Sequence, residues 1–134
     1  MVKSELINNR SRAKQLLGFD GLQWGRCRPT DLDFSMDFNK KVFVFGELKG
    51  TGAPLTVGQR IHLEGLVDAI IAGGRAAVAF VAHHDTPDTE HDVNVAESMV
   101  TSSYNGQKWE SFSTVTVKEY VDRVYQMHKS GAFG

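Results

Sequence analysis

The segment Asp33–Lys49 has the sequence DFSMDFNKKVFVFGELK, and it decides how this chain folds. Its second half contains Val42–Gly46, a run that is apolar on both faces of a strand and therefore predicts a strand buried on both sides. A carboxylate, Glu47, and an ammonium group, Lys49, follow this run directly. Charged groups where a buried strand emerges are costly unless something compensates their charge. A bound divalent cation would do so.

The residues before this strand predict a second strand that pairs with it in a hairpin. Apolar and polar residues alternate there: Leu32, Phe34, Met36 and Phe38 against Asp31, Asp33, Ser35 and Asp37. A three-residue loop, Asn39–Lys41, places the apolar residues of both strands on one face. It also sets Asp33 opposite Glu47 and Asp31 opposite Lys49, whereas a two-residue loop would mismatch every face. Two carboxylates opposed across a ladder repel each other, and a hard cation such as Mg²⁺ would reverse the sign of that interaction.

This constellation resembles the PD-(D/E)XK nuclease superfamily, whose core runs helix, three-strand meander, helix, strand. The resemblance covers roughly residues 4–84. It implies that Asp33, Glu47 and the Leu48 carbonyl bind Mg²⁺ or Mn²⁺. It further implies that Lys49 positions or activates the water that attacks the phosphodiester.

Further residues enter through the same resemblance. Gln59, at the start of the central helix, matches a glutamine that many of these nucleases hold near the scissile phosphate, and Thr56-x-x-Gln59 is also a capping box. Glu5 matches an acidic residue that some members place on the first helix, although the helix dipole alone favours a glutamate there. No proline directly precedes Asp33, so Asp31 competes with it for the metal-ligand role.

The remaining patterns predict an α/β fold with a mixed central sheet flanked by helices, in one domain over residues 1–134. Three helices are predicted. The first spans 4–17. The second spans Val57–Ala72 and carries an apolar stripe of Leu63, Leu66, Val67, Ile70 and Ile71, and the third begins at the capping box Thr116-x-x-Glu119 and ends at about Lys129. A buried strand over Ala76–Ala82 is expected to join the sheet through a crossover. Ser98–Tyr104 and Gln107–Val117 are expected to form a hairpin joined at Asn105-Gly106.

Composition narrows the class of protein. The 134 residues carry a net charge of −1, but residues 1–60 hold ten Lys or Arg against six Asp or Glu, which is compatible with one basic face and a nucleic-acid partner. A single cysteine, Cys27, suits a reducing compartment. Met1–Glu5 has no apolar signal core, and no apolar run approaches membrane-spanning length. We therefore expect a cytoplasmic protein without a membrane partner.

Two other segments allow alternative interpretations. His83-His84-Asp85 and His91-Asp92 supply residue types that bind zinc, yet without a spacing such as HExxH, so an exposed polar turn or a substrate-facing loop is the simpler interpretation. Trp24 with Arg26 and Arg28 indicates either a loop holding one core tryptophan or a nucleic-acid contact patch.

The resemblance, together with these patterns, implies a divalent-metal-dependent nuclease that acts on DNA, and for a chain this small it also implies a homodimer. A junction or flap endonuclease and a phage-type recombination exonuclease are both compatible with these residues. The alternatives are a non-catalytic DNA-binding or scaffold domain of the same fold and a zinc hydrolase centred on His83, His84 and His91.

Overall fold

The computed structural model describes residues 18–88 and 91–133. These residues form an α/β fold with one mixed five-stranded sheet and two helices. The strands are β1 (Phe34–Phe38), β2 (Val42–Gly50), β3 (Ala76–His84), β4 (Met99–Tyr104) and β5 (Trp109–Thr116), and the helices are α1 (Val57–Ala72) and α2 (Val117–Ser130). The predicted helix over 4–17, and Glu5 with it, lies outside the described residues.

The strands follow one another across the sheet in the order β1-β2-β3-β4-β5. β2 and β3 are parallel, and every other neighbouring pair is antiparallel. The chain between the parallel pair is α1, which confirms the predicted crossover. Of the three strands expected before α1, the described residues contain β1 and β2, preceded by an isolated bridge between Trp24 and Cys27.

Each face of the sheet has its own apolar core. One core joins α2 to alternate residues of the central strands: Val42, Val44, Phe80, Ala82, Val117, Tyr120 and Val124. The other joins α1 to the intervening residues: Phe45, Ala77, Ala79, Leu63 and Val67. Since successive strand residues point to opposite faces, the two helices cover opposite faces of the sheet. Among the described residues, neither helix combines the length and apolar character that crossing a membrane requires.

The hairpin of β1 and β2 has the predicted register. Phe38 pairs with Val42 and Phe34 with Gly46, so the loop is the expected Asn39–Lys41. Asn39 and Lys40 both have positive φ, 56° and 59°, as in a type I′ turn, and the Lys41 N–H donates to the Phe38 carbonyl at 3.0 Å.

One residue of the predicted apolar face lies elsewhere. Leu32 was expected to share the face of Phe34, but it packs with the α1 core. The regular pairing of β1 begins at Phe34, so the alternation that places Leu32 does not extend beyond the strand.

The helix α1 has the predicted bounds and the predicted capping box. Thr56 accepts from the Gln59 N–H through its side chain, while the Gln59 side chain accepts from the Thr56 N–H. Leu63 and Val67 are fully buried, whereas Ile71, at the end of the expected stripe, is 41% exposed. The stripe therefore packs against the sheet over its middle turns.

The C-terminal elements also follow the prediction, with one difference in the turn. The second capping box is confirmed, with Thr116 and Glu119 bonded reciprocally at the start of α2. The hairpin of β4 and β5 closes through four residues, Asn105–Lys108, in which the Asn105 side chain accepts from the N–H groups of Gln107 and Lys108. The two-residue turn suggested by Asn105-Gly106 is thus replaced by a longer one.

Candidate active site at the end of the central strands

Asp33 and Glu47 lie on one face at the carboxyl end of β2. The register that pairs Phe34 with Gly46 sets Asp33 opposite Glu47 one step further along. Glu47 is buried, with 2% of its surface exposed, whereas Asp33 is exposed. The Asp33 Oδ2 accepts a hydrogen bond from the Leu48 N–H at 2.9 Å. The structure therefore brings the two predicted carboxylates together.

Gly46 lets the neighbouring strand pack closely beneath this site. A Cβ atom at Gly46 would overlap the Phe80 ring of β3. That ring meets the Phe34 ring edge to face, with centroids 5.1 Å apart. Gly46 therefore leaves the space that the Phe80 ring occupies against β2, next to the residue that carries the buried carboxyl.

The electrostatics of the pair centre on Glu47. Burial raises the pKa of the Glu47 carboxyl to about 8, helped by a side-chain hydrogen bond with Asp33 and by the negative charges of Asp33 and Asp31. Lys49 acts in the opposite direction and lowers this pKa. At neutral pH Glu47 therefore holds a proton, which it can donate to the Asp33 carboxylate.

The Leu48 carbonyl points to the same side of β2 as the Asp33 carboxylate. The N–H and C=O groups of one strand residue point to the same side of the strand. Since the Leu48 N–H donates to Asp33, the Leu48 carbonyl is directed toward the region beside Asp33. Two carboxylates and one carbonyl are hard oxygen ligands of the kind that Mg²⁺ and Mn²⁺ prefer.

Lys49 shares the face of Glu47, two residues further along β2, and is half-buried. Its Cα partner on the parallel strand β3 is His83. The structural alternative for Lys49 is an ion pair with Asp31, but the ion pairs within the described residues join other side chains.

His83 makes hydrogen bonds that the sequence patterns do not predict. Its Nε2 donates to the Ala53 carbonyl at 2.7 Å, and its Nδ1 is 2.9 Å from the Thr101 Oγ1. Thr101 is the extra residue of a bulge in β4, since Val81 pairs with Ser102 and Ala82 with Val100. His83 therefore ties the loop after Lys49 to β4. The histidine-rich run is interpreted from the sequence as an exposed polar turn or a substrate-facing loop, with a zinc site as the alternative. No periodicity in the sequence indicates the bulge in β4.

Three further candidate residues, Gln59, Asp31 and Trp24, differ in their burial and in their contacts. Gln59 is half-buried at the start of α1, and its side-chain oxygen accepts from the Thr56 N–H at 3.2 Å, which serves the capping role. Asp31 is exposed and contributes a negative charge at Glu47. Trp24 is 66% exposed, so it is not the core residue of the simpler interpretation.

The histidine-rich segment borders a separate cavity of 590 Å³ at the same end of the sheet, lined by Thr51, His83, His84, Asp85, His91 and Asp92 among others. His91 pairs with Asp88 at 2.7 Å, and His83 is committed to Ala53. Over residues 18–88 and 91–133, no group of three or more His, Cys, Asp or Glu side chains is placed to hold a metal ion. The described residues thus provide no zinc cluster.

In comparisons with known proteins, no family model matches this chain, and neither does any curated protein or solved structure. The functional interpretation therefore depends on the site itself.

The donor set fits a cation that completes its shell with other ligands. Mg²⁺ is commonly bound through one or two carboxylates together with waters and substrate phosphates, so a cage of three acidic side chains is not required. A buried carboxyl with a pKa near 8 beside a second carboxylate is also the usual electrostatic signature of a functional pair. The arrangement can exchange one proton for one cation.

Proposed function

We propose that this protein is a divalent-metal-dependent nuclease that hydrolyses phosphodiester bonds in DNA, with Mg²⁺ or Mn²⁺ as its cofactor. The finer fold assignment, a restriction-endonuclease-like core, and the assembly into a homodimer belong to the same proposal. The observation that carries it is the burial of Glu47 directly across from Asp33, which raises the pKa of Glu47 to about 8. A fold without use for this pair gains nothing from burying one carboxyl beside a second one.

The chain's own residues divide the work. Asp33, Glu47 and the Leu48 carbonyl would hold the cation, which when bound supplies Lewis acidity to the phosphate. Glu47 would give up its proton to hold the cation, so the pair would carry its second negative charge only with the cation bound. The Leu48 N–H keeps the Asp33 carboxylate oriented through its hydrogen bond.

Lys49 supplies the positive charge for the phosphate. Its place on the Glu47 face, two residues along the strand, lets its ammonium group offset negative charge that develops on the phosphoryl oxygens and orient the attacking water. Gln59 is proposed to position water or phosphate at the start of α1. His83 fixes the loop between Lys49 and α1 through the Ala53 carbonyl.

The test is cleavage of a defined panel of nucleic acids. The purified protein is incubated with Mg²⁺, Mn²⁺ or EDTA and single-stranded, duplex, flapped and branched DNA, with RNA of the same sequence in parallel. We expect cleavage of at least one DNA with Mg²⁺ or Mn²⁺ and none with EDTA. Glu47→Gln should abolish it, while the control Glu110→Gln, at an exposed glutamate on β5, should not.

Three results would refute the proposal. Cleavage that persists in the Glu47→Gln variant would show that the activity comes from elsewhere. Binding of DNA without cleavage under any metal condition would support the scaffold alternative, and activity that requires tightly bound zinc would support the zinc hydrolase.

A further inference from the structure

The segment Phe19–Thr30 displays an aromatic side chain on a fixed turn. The Trp24 N–H donates to the Cys27 carbonyl at 2.8 Å, and the Cys27 N–H donates to the Trp24 carbonyl at 2.9 Å. Gly25 has a φ of +63°, which a glycine adopts without strain, and its carbonyl accepts from the Gln23 side chain at 3.1 Å. The turn is thus held by hydrogen bonds at both ends, yet 66% of the Trp24 surface is exposed.

An exposed tryptophan on an ordered turn is unusual enough to suggest a ligand. Large apolar side chains are usually covered, and two further ones in the same segment are also exposed, Phe19 at 42% and Leu22 at 41%. A cavity of 400 Å³ lies beside them, lined by Phe19, Asp20, Leu22, Arg28 and their neighbours. The segment combines an aromatic face, an apolar rim and a concave surface.

The charges in the segment favour an anionic ligand. Arg26 lies within the turn and Arg28 directly follows it. Both are exposed, and the ion pairs among the described residues join other side chains. Asp20 is the acidic residue that lines the cavity. Aromatic faces interleaved with free arginines are the combination that binds unpaired nucleotides, in which bases stack on the rings and phosphates meet the cations.

We infer that the turn at Trp24 is a stacking site for unpaired bases of single-stranded DNA. The identity of the ligand rests on the proposed function. Trp24 is nine residues from Asp33, and a chain of that length reaches at most about 32 Å. A base stacked on Trp24 would thus hold the strand within a few nucleotides of Glu47. This favours a substrate with a single-stranded arm, such as a flap or a branched end.

Two residues of this turn, Cys27 and Trp24, can be used to detect binding at this site. Cys27 is the only cysteine and is exposed beside Trp24. Its rate of modification by a thiol reagent therefore reports on this turn alone. The other tryptophan, Trp109, is half-buried and donates to the Glu64 carboxylate at 2.6 Å, so quenching by added bases should come mainly from Trp24.

Binding is measured in EDTA by fluorescence anisotropy of labelled single-stranded DNA, duplex DNA and single-stranded RNA of one sequence. We expect Trp24→Ala to weaken binding of single-stranded DNA about 5- to 150-fold and Trp24→Phe to restore most of it. The control Ile61→Ala, at a side chain 63% exposed on α1, should leave binding unchanged. Single-stranded DNA should also slow the modification of Cys27 several-fold.

Each outcome separates this inference from the nuclease proposal. Unchanged binding by Trp24→Ala, an equal loss for duplex DNA, tighter binding of RNA, or a Cys27 that is modified equally fast with DNA would each overturn the stacking site. None of these results bears on cleavage, which Glu47→Gln tests. A protein that loses single-strand binding in Trp24→Ala but never cleaves DNA would keep the stacking site and lose the nuclease.

Discussion

Glu47 links the stability of the fold to pH. Its pKa is about 8 in the folded protein against an ordinary value of 4.5, so between these pH values the folded state binds one proton more than the unfolded chain. The free energy of unfolding should therefore fall as pH rises from about 4.5 to about 8, by up to about 1.4 kcal/mol per pH unit from this group, and level off above. Below the lower value the contribution is fully present.

The first prediction concerns Glu47→Gln in the absence of metal. The glutamine amide keeps a donor for Asp33 but cannot become charged, so the variant should lose the pH dependence that Glu47 contributes. Its stability relative to the wild type should increase through the window from pH 4.5 to 8, while cleavage disappears. Urea unfolding at several pH values measures both curves. A variant that is several degrees less stable at every pH would show that the pair is structural.

The second prediction concerns Lys49→Ala. Its ammonium group is not a metal ligand, so its removal should lower kcat by on the order of 10²-fold or more and leave Mg²⁺ and substrate binding largely intact. Asp31→Asn serves as the control, because an Asp31–Lys49 ion pair would make the two substitutions cost stability non-additively with little effect on rate. Single-turnover cleavage with saturating Mg²⁺ distinguishes a catalytic Lys49 from a structural ion pair. Near-normal cleavage by Lys49→Ala would show that Lys49 takes no part in the reaction.

At the scale of the elements, β2 is held in place by the contact of Gly46 with Phe80. Gly46→Ala would drive a methyl group into the Phe80 ring, and overpacking of this kind costs about 1–3 kcal/mol. Gly50→Ala is a matched control on the same strand, since nothing lies within 4 Å of its added Cβ. Thermal unfolding should show a melting temperature lower by several degrees for Gly46→Ala alone. Equal effects of the two substitutions would contradict the packing described for β2.

The turn between β1 and β2 offers a substitution that should stabilise the protein. Lys40 has a φ of 59°, a conformation that costs a residue with a side chain about 1–2 kcal/mol and costs glycine little. Lys40→Gly should therefore raise the melting temperature by a few degrees, whereas Lys41→Gly, where φ is not positive, should not. Calorimetry of both variants measures the two melting temperatures. A loss of stability in Lys40→Gly would mean that the Lys40 side chain makes a contact that stabilises the fold by more than the positive φ costs.

These elements also show how far sequence patterns reach. The hairpin register was predictable because a slip of one residue would have exposed every apolar side chain of two strands, so one pairing was strongly preferred. The capping boxes were predictable because their chemistry is local. Three features were not predictable: the bulge at Thr101, the hydrogen bonds of His83 and the exposure of Trp24. The first two depend on residues 18 or more positions away in the sequence. The third depends on which side chains do not pack against Trp24.

For the whole molecule, the three layers place the candidate metal site where the two parallel strands end, and ligands of α/β sheets commonly bind at such ends. A cation that binds only the folded state should stabilise it by mass action. Mg²⁺ should therefore raise the melting temperature of the wild type, more so as pH approaches 8 because the ion competes with the proton of Glu47. Differential scanning fluorimetry with Mg²⁺, Ca²⁺ and Zn²⁺ measures the shifts.

The control for this prediction is Glu47→Gln, which should lose most of the Mg²⁺ shift. A shift of equal size in the variant would place the cation elsewhere on the protein. A shift confined to Zn²⁺ and removed by His84→Ala or His91→Ala would instead favour the cavity beside the histidine-rich segment.

The strand order has a consequence for how this site matures on the ribosome. Asp33, Glu47 and Lys49 all belong to the first hairpin, which can pair as soon as it leaves the exit tunnel because its contacts are local. The strand β3, whose Val81 pairs with Glu47, and the helix α1 on the same face of the sheet are synthesised afterwards. We therefore expect the nascent hairpin to carry an ordinary pair of hydrated carboxylates, with the proton-holding pair formed only once the later layers have packed.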